Sequence, residues 1–178
     1  MNFSSFTESQ LIALVANENA DSSALKQCVG LSYATDRLIA KHSNATQDVL
    51  ERLSESSDYE TRKNVICNAG TQADLLIALA PEFPMDFFSH PLLDLMILED
   101  PQLLQKLKPG VLKAFLKADD CPNAFIQWAS RHGTKGDQLE ILKRDDLTVA
   151  VLKSIANGAH PKPSERAIDH LLEFGETW

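Results

Sequence analysis

At an offset of 26 residues the chain restates itself. "SYATDRLIAKHS", from Ser32, lies over "DYETRKNVICNA", from Asp58, with Tyr33 on Tyr59, Thr35 on Thr61, Arg37 on Lys63 and Ile39 on Val65. The same offset continues without a gap to pair Asp48 with Asp74, Leu50 with Leu76 and Leu53 with Leu79. It returns near the end, where "CPNAFIQWAS" from Cys121 lies over "LTVAVLKSIA" from Leu147, so that Ile126 meets Leu152 and Ala129 meets Ile155. Leu25 and Cys28 precede Leu50 and Leu53 by 25. Self-similarity at a period of 20–50 residues is the mark of stacked units, none of which can bury its apolar face alone.

The local signals say what each unit contains. Thr7 followed by Gln10 opens "TESQLIALV" as a capping box, and Ser57 with Glu60 offers the same device in "SDYETRKNVI". Asp21, Thr46, Thr71, Asp100, Asp146 and Ser164 are further expected caps, while Gly30, Gly70, Pro81, Gly110, Gly133, Gly158 and Gly175 are expected stops. The pieces between are about 8–12 residues, roughly 12–18 Å of helix. Apolar residues recur at helical spacing, and no alternating strand pattern is present. Helices this short are marginal alone and depend on packing. The fold expected is therefore all-α, an α-solenoid of ~26-residue two-helix repeats, regular over about 20–83 and 121–173.

Between these stretches, residues 84–120 break the rhythm. They are richer in Leu and Phe and are punctuated by Pro84, Pro91, Pro101 and Pro109, which suit the first turns of short helices. No Gly/Ser linker sets them apart, so one domain, 1–178, is expected with this segment as a divergent repeat or a bend.

The charge bounds the partners. With 25 acidic and 17 basic residues the net charge is −8, a field that repels nucleic acid and anionic membrane and speeds encounter with a basic partner. Divided at 57, 83 and 120, the chain carries −3, −2, −2 and −1, so no acidic tail stands out. Much of the acid falls where helices should begin, as at Asp58, Glu60, Asp145 and Asp146, and complements the helix dipole. Lys and Arg are balanced locally by acids rather than gathered on one face. No apolar run approaches the ~20 residues of a membrane helix, and "MNFSSFTES" has no signal-peptide pattern. The three cysteines, Cys28, Cys67 and Cys121, form no CxxC. A cytoplasmic protein without cofactor or metal is the expectation.

"DYETRKNVICNAGTQADLLIALA" resembles a unit of the leucine-rich repeat variant family, in which a Val-Arg pair, an apolar pair, an Asn and closing leucines recur. Here Thr61-Arg62 stand for the first pair, Val65 and Ile66 for the second, Asn68 for the Asn, and Leu75, Leu76 and Leu79 for the leucines. Ala69 and Ala73 replace the family's prolines. "LIAKHSNATQDVLERLS" is a second, weaker match, and "HPLLDLMILEDPQLL" and "CPNAFIQWASRH" are similar to stretches of bacterial proteins carrying such repeats. The resemblance covers about residues 20–160. It implies a right-handed superhelix related to HEAT solenoids and a tendency to bind partners, with no shared catalytic residues. The N-terminal cysteine cluster that holds an iron–sulfur centre in one type of such protein has no counterpart here.

Catalytic patterns are missing: there is no GxGxxG, Walker loop, HExxH or GxSxG. The five histidines are scattered, and His132, at the end of "WASRHG", reads as structural. Cys121 stands before a helix start that would lower a thiol pKa, but beside Asp119 and Asp120, which would raise it. Trp128 reads as core, and Trp178 as exposed or docked on the last repeat. The function expected is a non-enzymatic protein-binding module, a scaffold or adaptor. The alternative is an acidic inhibitor or immunity protein neutralising a basic toxin or enzyme. An acidic partner-binding face is expected at the irregular centre, among Asp94, Glu99, Asp100, Asp119 and Asp120.

Overall fold

A computed structural model describes residues 6–108 and 110–175, and within them every regular element is a helix. The chain divides into two compact units, the first ending at Pro101 and the second beginning at Gln102. The divergent segment 84–120 is thereby shared between them. Trp178 lies outside the described residues.

The first unit contains α1 (Glu8–Val15), α2 (Ser22–Cys28), α3 (Tyr33–Lys41), α4 (Gln47–Ser54), α5 (Tyr59–Ile66), α6 (Ala73–Leu79), α7 (Pro84–Phe88) and α8 (Leu93–Glu99). Successive odd-numbered helices pack side by side, α1 on α3, α3 on α5 and α5 on α7, and α2, α4 and α6 each lie against the odd helix before them. The residues paired at 26 share their surroundings. Thr35 and Thr61, Ile39 and Val65, and Leu50 and Leu76 are all fully buried, whereas Tyr33 and Tyr59 are both exposed.

Three helix starts show how neighbours choose among local options. Thr7 and Gln10 close the expected capping box on α1, and Ser32 with Thr35 closes another on α3. At α5, however, the cap is Asp58 and not Ser57: its carboxylate accepts from the Thr61 N–H at 2.9 Å and the Thr61 hydroxyl at 2.7 Å. The reason is tertiary, since the same carboxylate takes a two-pronged bond from Arg37 of α3, at 2.6 and 2.8 Å, an ionic partner that a serine hydroxyl could not match. Elsewhere Asp100 ends α8, Gln72 rather than Thr71 caps α6, Thr148 rather than Asp146 caps α13 (Val149–Ala156), and Ser164 lies within α14 (Pro161–Glu173), behind His160. Gly110, expected as a stop, is instead the N-cap of α10 (Val111–Leu116), with a φ of 99° that favours glycine.

A ladder whose buried side chains are His42, Asn68 and His90 ties the turns of unit 1 to one another. His42 Nε2 donates to the Asn17 carbonyl at 2.9 Å. Asn68 Nδ2 donates to the carbonyls of His42 and Ala40, at 3.1 and 2.8 Å. His90 Nε2 donates to the Asn68 carbonyl at 3.1 Å. Each rung also receives the backbone N–H two residues on: Asn17 from Asn19, His42 from Asn44, Asn68 from Gly70 and His90 from Leu92. Because Nδ1 of each imidazole accepts an N–H, the ring proton sits on Nε2, and both histidines stand in the ladder as neutral rings. His42 and His90 are thus the counterparts of Asn68, an equivalence hidden by the change of residue type, and exposed Asn17 shares the acceptor half of the pattern.

Ion pairs join the same helix pairs at the surface: Lys26 with Asp48, Arg37 with Asp58 and Arg62 with Glu82. Lys26 and the Thr46 hydroxyl hold Asp48 down at about 2, and Arg37 with Thr61 holds Asp58 well below the usual carboxylate range. Both acids favour the anion in the folded chain, so their stabilisation is complete above about pH 4, the unfolded range, and is lost as the pH falls towards the folded values. Asp36 runs the other way, since burial raises it against the lowering effect of the Gly30 N–H. In urea unfolding between about pH 5 and pH 2.5, Arg37→Met is expected to fall less steeply with acid than the parent chain. Equal slopes would remove the pair from the acid limb.

The second unit contains α9 (Leu103–Lys106), α10, α11 (Asn123–His132), α12 (Lys135–Ile141), α13 and α14. Here α11 packs on α13, and α12 lies between α10 and α14. Helices α11 and α13 begin 26 residues apart, as do α12 and α14. Ile126, Leu152, Ala129 and Ile155, the residues paired by that offset, are all buried.

Candidate functional site

Once the unit boundary is known, the charge of the chain takes a different form. Residues 1–101 hold 15 acidic and 6 basic residues, net −9, and residues 102–178 hold 10 and 11, net +1. The segment 84–120 conceals this because it joins an acidic half, with Asp86, Asp94, Glu99 and Asp100, to a half carrying Lys106, Lys108, Lys113 and Lys117.

Asp94, Glu99 and Asp100 belong to unit 1. Asp94 and Glu99 are exposed on α8, and Asp100, half-buried, is its C-cap. Between them the helix turns Leu95 and Leu98 outward, the latter 77% exposed. Positions 94, 95, 98 and 99 share one helical face, so α8 presents two leucines bracketed by two carboxylates. Asp119 and Asp120 are exposed in the turn before α11, in unit 2. The five acids are therefore split between the two units as three and two.

Unit 1 exposes a second apolar strip where α3 and α5 begin. Leu31, Tyr33 and Tyr59 are 44, 56 and 51% exposed. The Tyr33 hydroxyl shares a 2.8 Å hydrogen bond with Ser57, and the Tyr59 ring leans on Phe83 with centroids 5.1 Å apart. These contacts orient the rings and leave much of each in solvent, the arrangement of aromatic side chains that anchor partners.

In unit 2, Asp119 borders a hollow of about 370 Å³ in which Arg144, Asp146, Glu140 and Lys143 are already engaged. Arg144 donates to the carbonyls of Leu116 and Ala118 at 2.9 and 2.7 Å and forms a two-pronged pair with Asp146 at 2.8 Å. Glu140 faces Lys143 at 3.0 Å and Lys113 at 3.5 Å. These are structural clamps. A second cleft, of about 450 Å³, lies among the α9–α10 turn, α10, α11 and the start of α12. Trp128, expected in the core, is half-buried on its wall, against His132 with ring centroids 5.6 Å apart. Helical spacing brings them together, four residues apart on α11, while the core side of that helix is taken by Ile126, Ala129 and Ser130.

Burial pushes the Cys121 thiol up to about 11, despite the cation of Arg144 nearby, the opposite of an activated nucleophile. Cys28 is buried, and exposed Cys67 donates to Asp86 at 3.4 Å. Among the described residues no group of three His, Cys, Asp or Glu is placed to hold a metal ion, and no helix is long and apolar enough to cross a membrane. The features that sequence reading missed, the ladder histidines and the Trp128 cleft, had signals in the 25-residue spacing from Asn17 to His42 and in the acid-free run 101–118. Compared with protein families, curated proteins and solved structures, the chain matches none.

Proposed function

We propose that the protein is a non-enzymatic protein-binding module, an α-solenoid whose acidic first unit docks a basic protein partner. The observation that carries this reading is the net charge of −9 on residues 1–101, on a unit that also exposes Tyr33, Tyr59, Leu95 and Leu98. Charge of one sign steers encounter, and exposed aromatic and leucine side chains supply the contact that desolvates. The solenoid reading is supported by helix pairs recurring at 26 residues, by side chains that bond from one pair to the next, and by the resemblance to leucine-rich repeat variant units. Stacked pairs offer an extended surface rather than a closed pocket, which suits a macromolecular partner.

The same charge favours a more specific form, an inhibitor or immunity protein that neutralises a basic toxin or enzyme. One experiment tests both. The tagged full chain is used to capture proteins from a lysate of the cell that makes it, at about 50 and about 500 mM salt. A basic protein is expected to be retained at low salt, released at high salt, and lost when Asp94, Glu99 and Asp100 are all changed to Lys. Retention of the same partner by the charge-reversed chain would overturn the acidic docking face. A captured enzyme that is inactive in the complex and active once released supports the inhibitor, and one equally active in both supports the scaffold.

A further inference from the structure

The cleft on unit 2 has a chemistry opposite to that of unit 1. Its wall is apolar, formed by Leu104, Leu107, Leu112 and the Trp128 indole. Lys108, Lys113 and His132 stand among the other lining residues. The one carboxylate among the described lining residues, Asp137, is buried and already committed: it accepts from the Thr134 N–H at 2.9 Å and the Thr134 hydroxyl at 2.6 Å to cap α12. Lys113 is loosely held, 3.5 Å from a Glu140 that Lys143 approaches more closely. The surrounding run, residues 101–118, contains four lysines and no acid, in a chain of net charge −8.

We propose that this cleft is a binding site for an acidic peptide segment carrying a large apolar side chain, supplied by a protein other than the basic partner of unit 1. The apolar anchor rests on Trp128 and the leucines, and the flanking carboxylates meet Lys108 and Lys113. The volume lies in the range of clefts that enclose a ligand group, about 300–1,000 Å³, and an apolar wall with a few convergent polar groups is the usual composition of such sites. A peptide fits better than nucleic acid. A polyanion needs an extended basic stripe, whereas here a single aromatic side chain and three leucines stand beside two lysines.

Trp128 reports on its own site. The chain has two tryptophans, so Trp178→Phe leaves its indole as the sole tryptophan, excited selectively at wavelengths where tyrosine does not absorb. Into this variant is titrated a capped peptide of two leucines flanked by glutamates, and in parallel its counterpart with lysines. The glutamate peptide is expected to give a saturable change in emission, weakened by salt, and the lysine peptide none. Lys108→Glu with Lys113→Gln, the second change sparing the buried Glu140 a facing carboxylate, should weaken the glutamate peptide by about tenfold or more while leaving the circular dichroism unchanged. Absence of a saturable change, an equal response to both peptides, or indifference to the loss of these lysines would overturn the proposal. So would a short oligothymidylate that displaces the glutamate peptide and gives the same response, since the cleft would then be a general polyanion site. Neither result bears on the acidic face of unit 1.

Discussion

Asn68→Ala is expected to lower the stability of unit 1 by about 2–4 kcal/mol, from the loss of several hydrogen bonds at a buried position. The amide of Asn68 is 7% exposed and satisfies the carbonyls of Ala40 and His42 while accepting the N–H of Gly70. Alanine leaves these groups buried without their partner. Asn68→His is expected to lose less than half as much, because imidazoles at positions 42 and 90 already make the same pair of contacts, a donor to the preceding turn and an acceptor for the N–H two residues on. Asn68→Asp keeps only the acceptor and turns a carboxylate towards two carbonyl oxygens, so it should be at least as damaging as alanine. Urea unfolding of the full chain, with amide exchange to locate the loss in residues 33–99, makes the comparison. If His and Ala at position 68 were equally destabilising, the two residue types would not be interchangeable rungs, and the ladder would be a coincidence of geometry.

The second large effect is expected at Arg144. Its guanidinium joins the end of α10 to the approach to α13 by bonding the carbonyls of Leu116 and Ala118 and the carboxylate of Asp146. The side chain is 10% exposed, unlike that of Asp146 at 55%. Arg144→Met should destabilise unit 2 by about 2–4 kcal/mol, since two helix-end carbonyls and a carboxylate lose a shared donor. Arg144→Lys should recover only part of this, because one ammonium cannot span three acceptors in the plane that the guanidinium fits. Asp146→Asn, which leaves the carbonyl bonds in place, should cost far less. A loss for Arg144→Met of under about 0.5 kcal/mol would reduce the clamp to an ordinary surface ion pair.

In the linear chain Asn68 is marked only as the asparagine of the repeat pattern and Arg144 not at all, although most of the helices around them are legible. The helical periodicity of "TESQLIALV", the Thr7–Gln10 box and the 26-residue recurrence are all legible, and the apolar pairs Ile39/Val65, Leu50/Leu76 and Leu53/Leu79 read from that recurrence share their burial. Such signals act within about four residues of backbone, or repeat because equivalent helices face equivalent neighbours. The same local rules misplaced the cap of α5 by one residue, because they could not know that Arg37 would reach Asp58 from α3. They put Trp128 in the core from its apolar neighbours, although the buried face of α11 passes through Ile126 and Ala129 instead.

The candidate surfaces were less legible still. The acids at Asp94, Glu99 and Asp100 were nominated from the broken rhythm, but their grouping with Asp119 and Asp120 followed from a segment that the boundary at Pro101 divides. Sums over sequence quarters were nearly even, and only the contacts that define each unit separate −9 from +1. By itself the sequence determined an all-helical fold, where most of its short helices run, and most of the apolar residues they bury, since those depend on apolar spacing and turn chemistry along a few residues. Tertiary structure alone decided that His42 and His90 do the work of asparagines, that Arg144 closes α10, and that acid and base are gathered in different units. Each of these depends on groups more than 20 residues apart being brought within a hydrogen bond or a common surface, and that distance is closed only by packing.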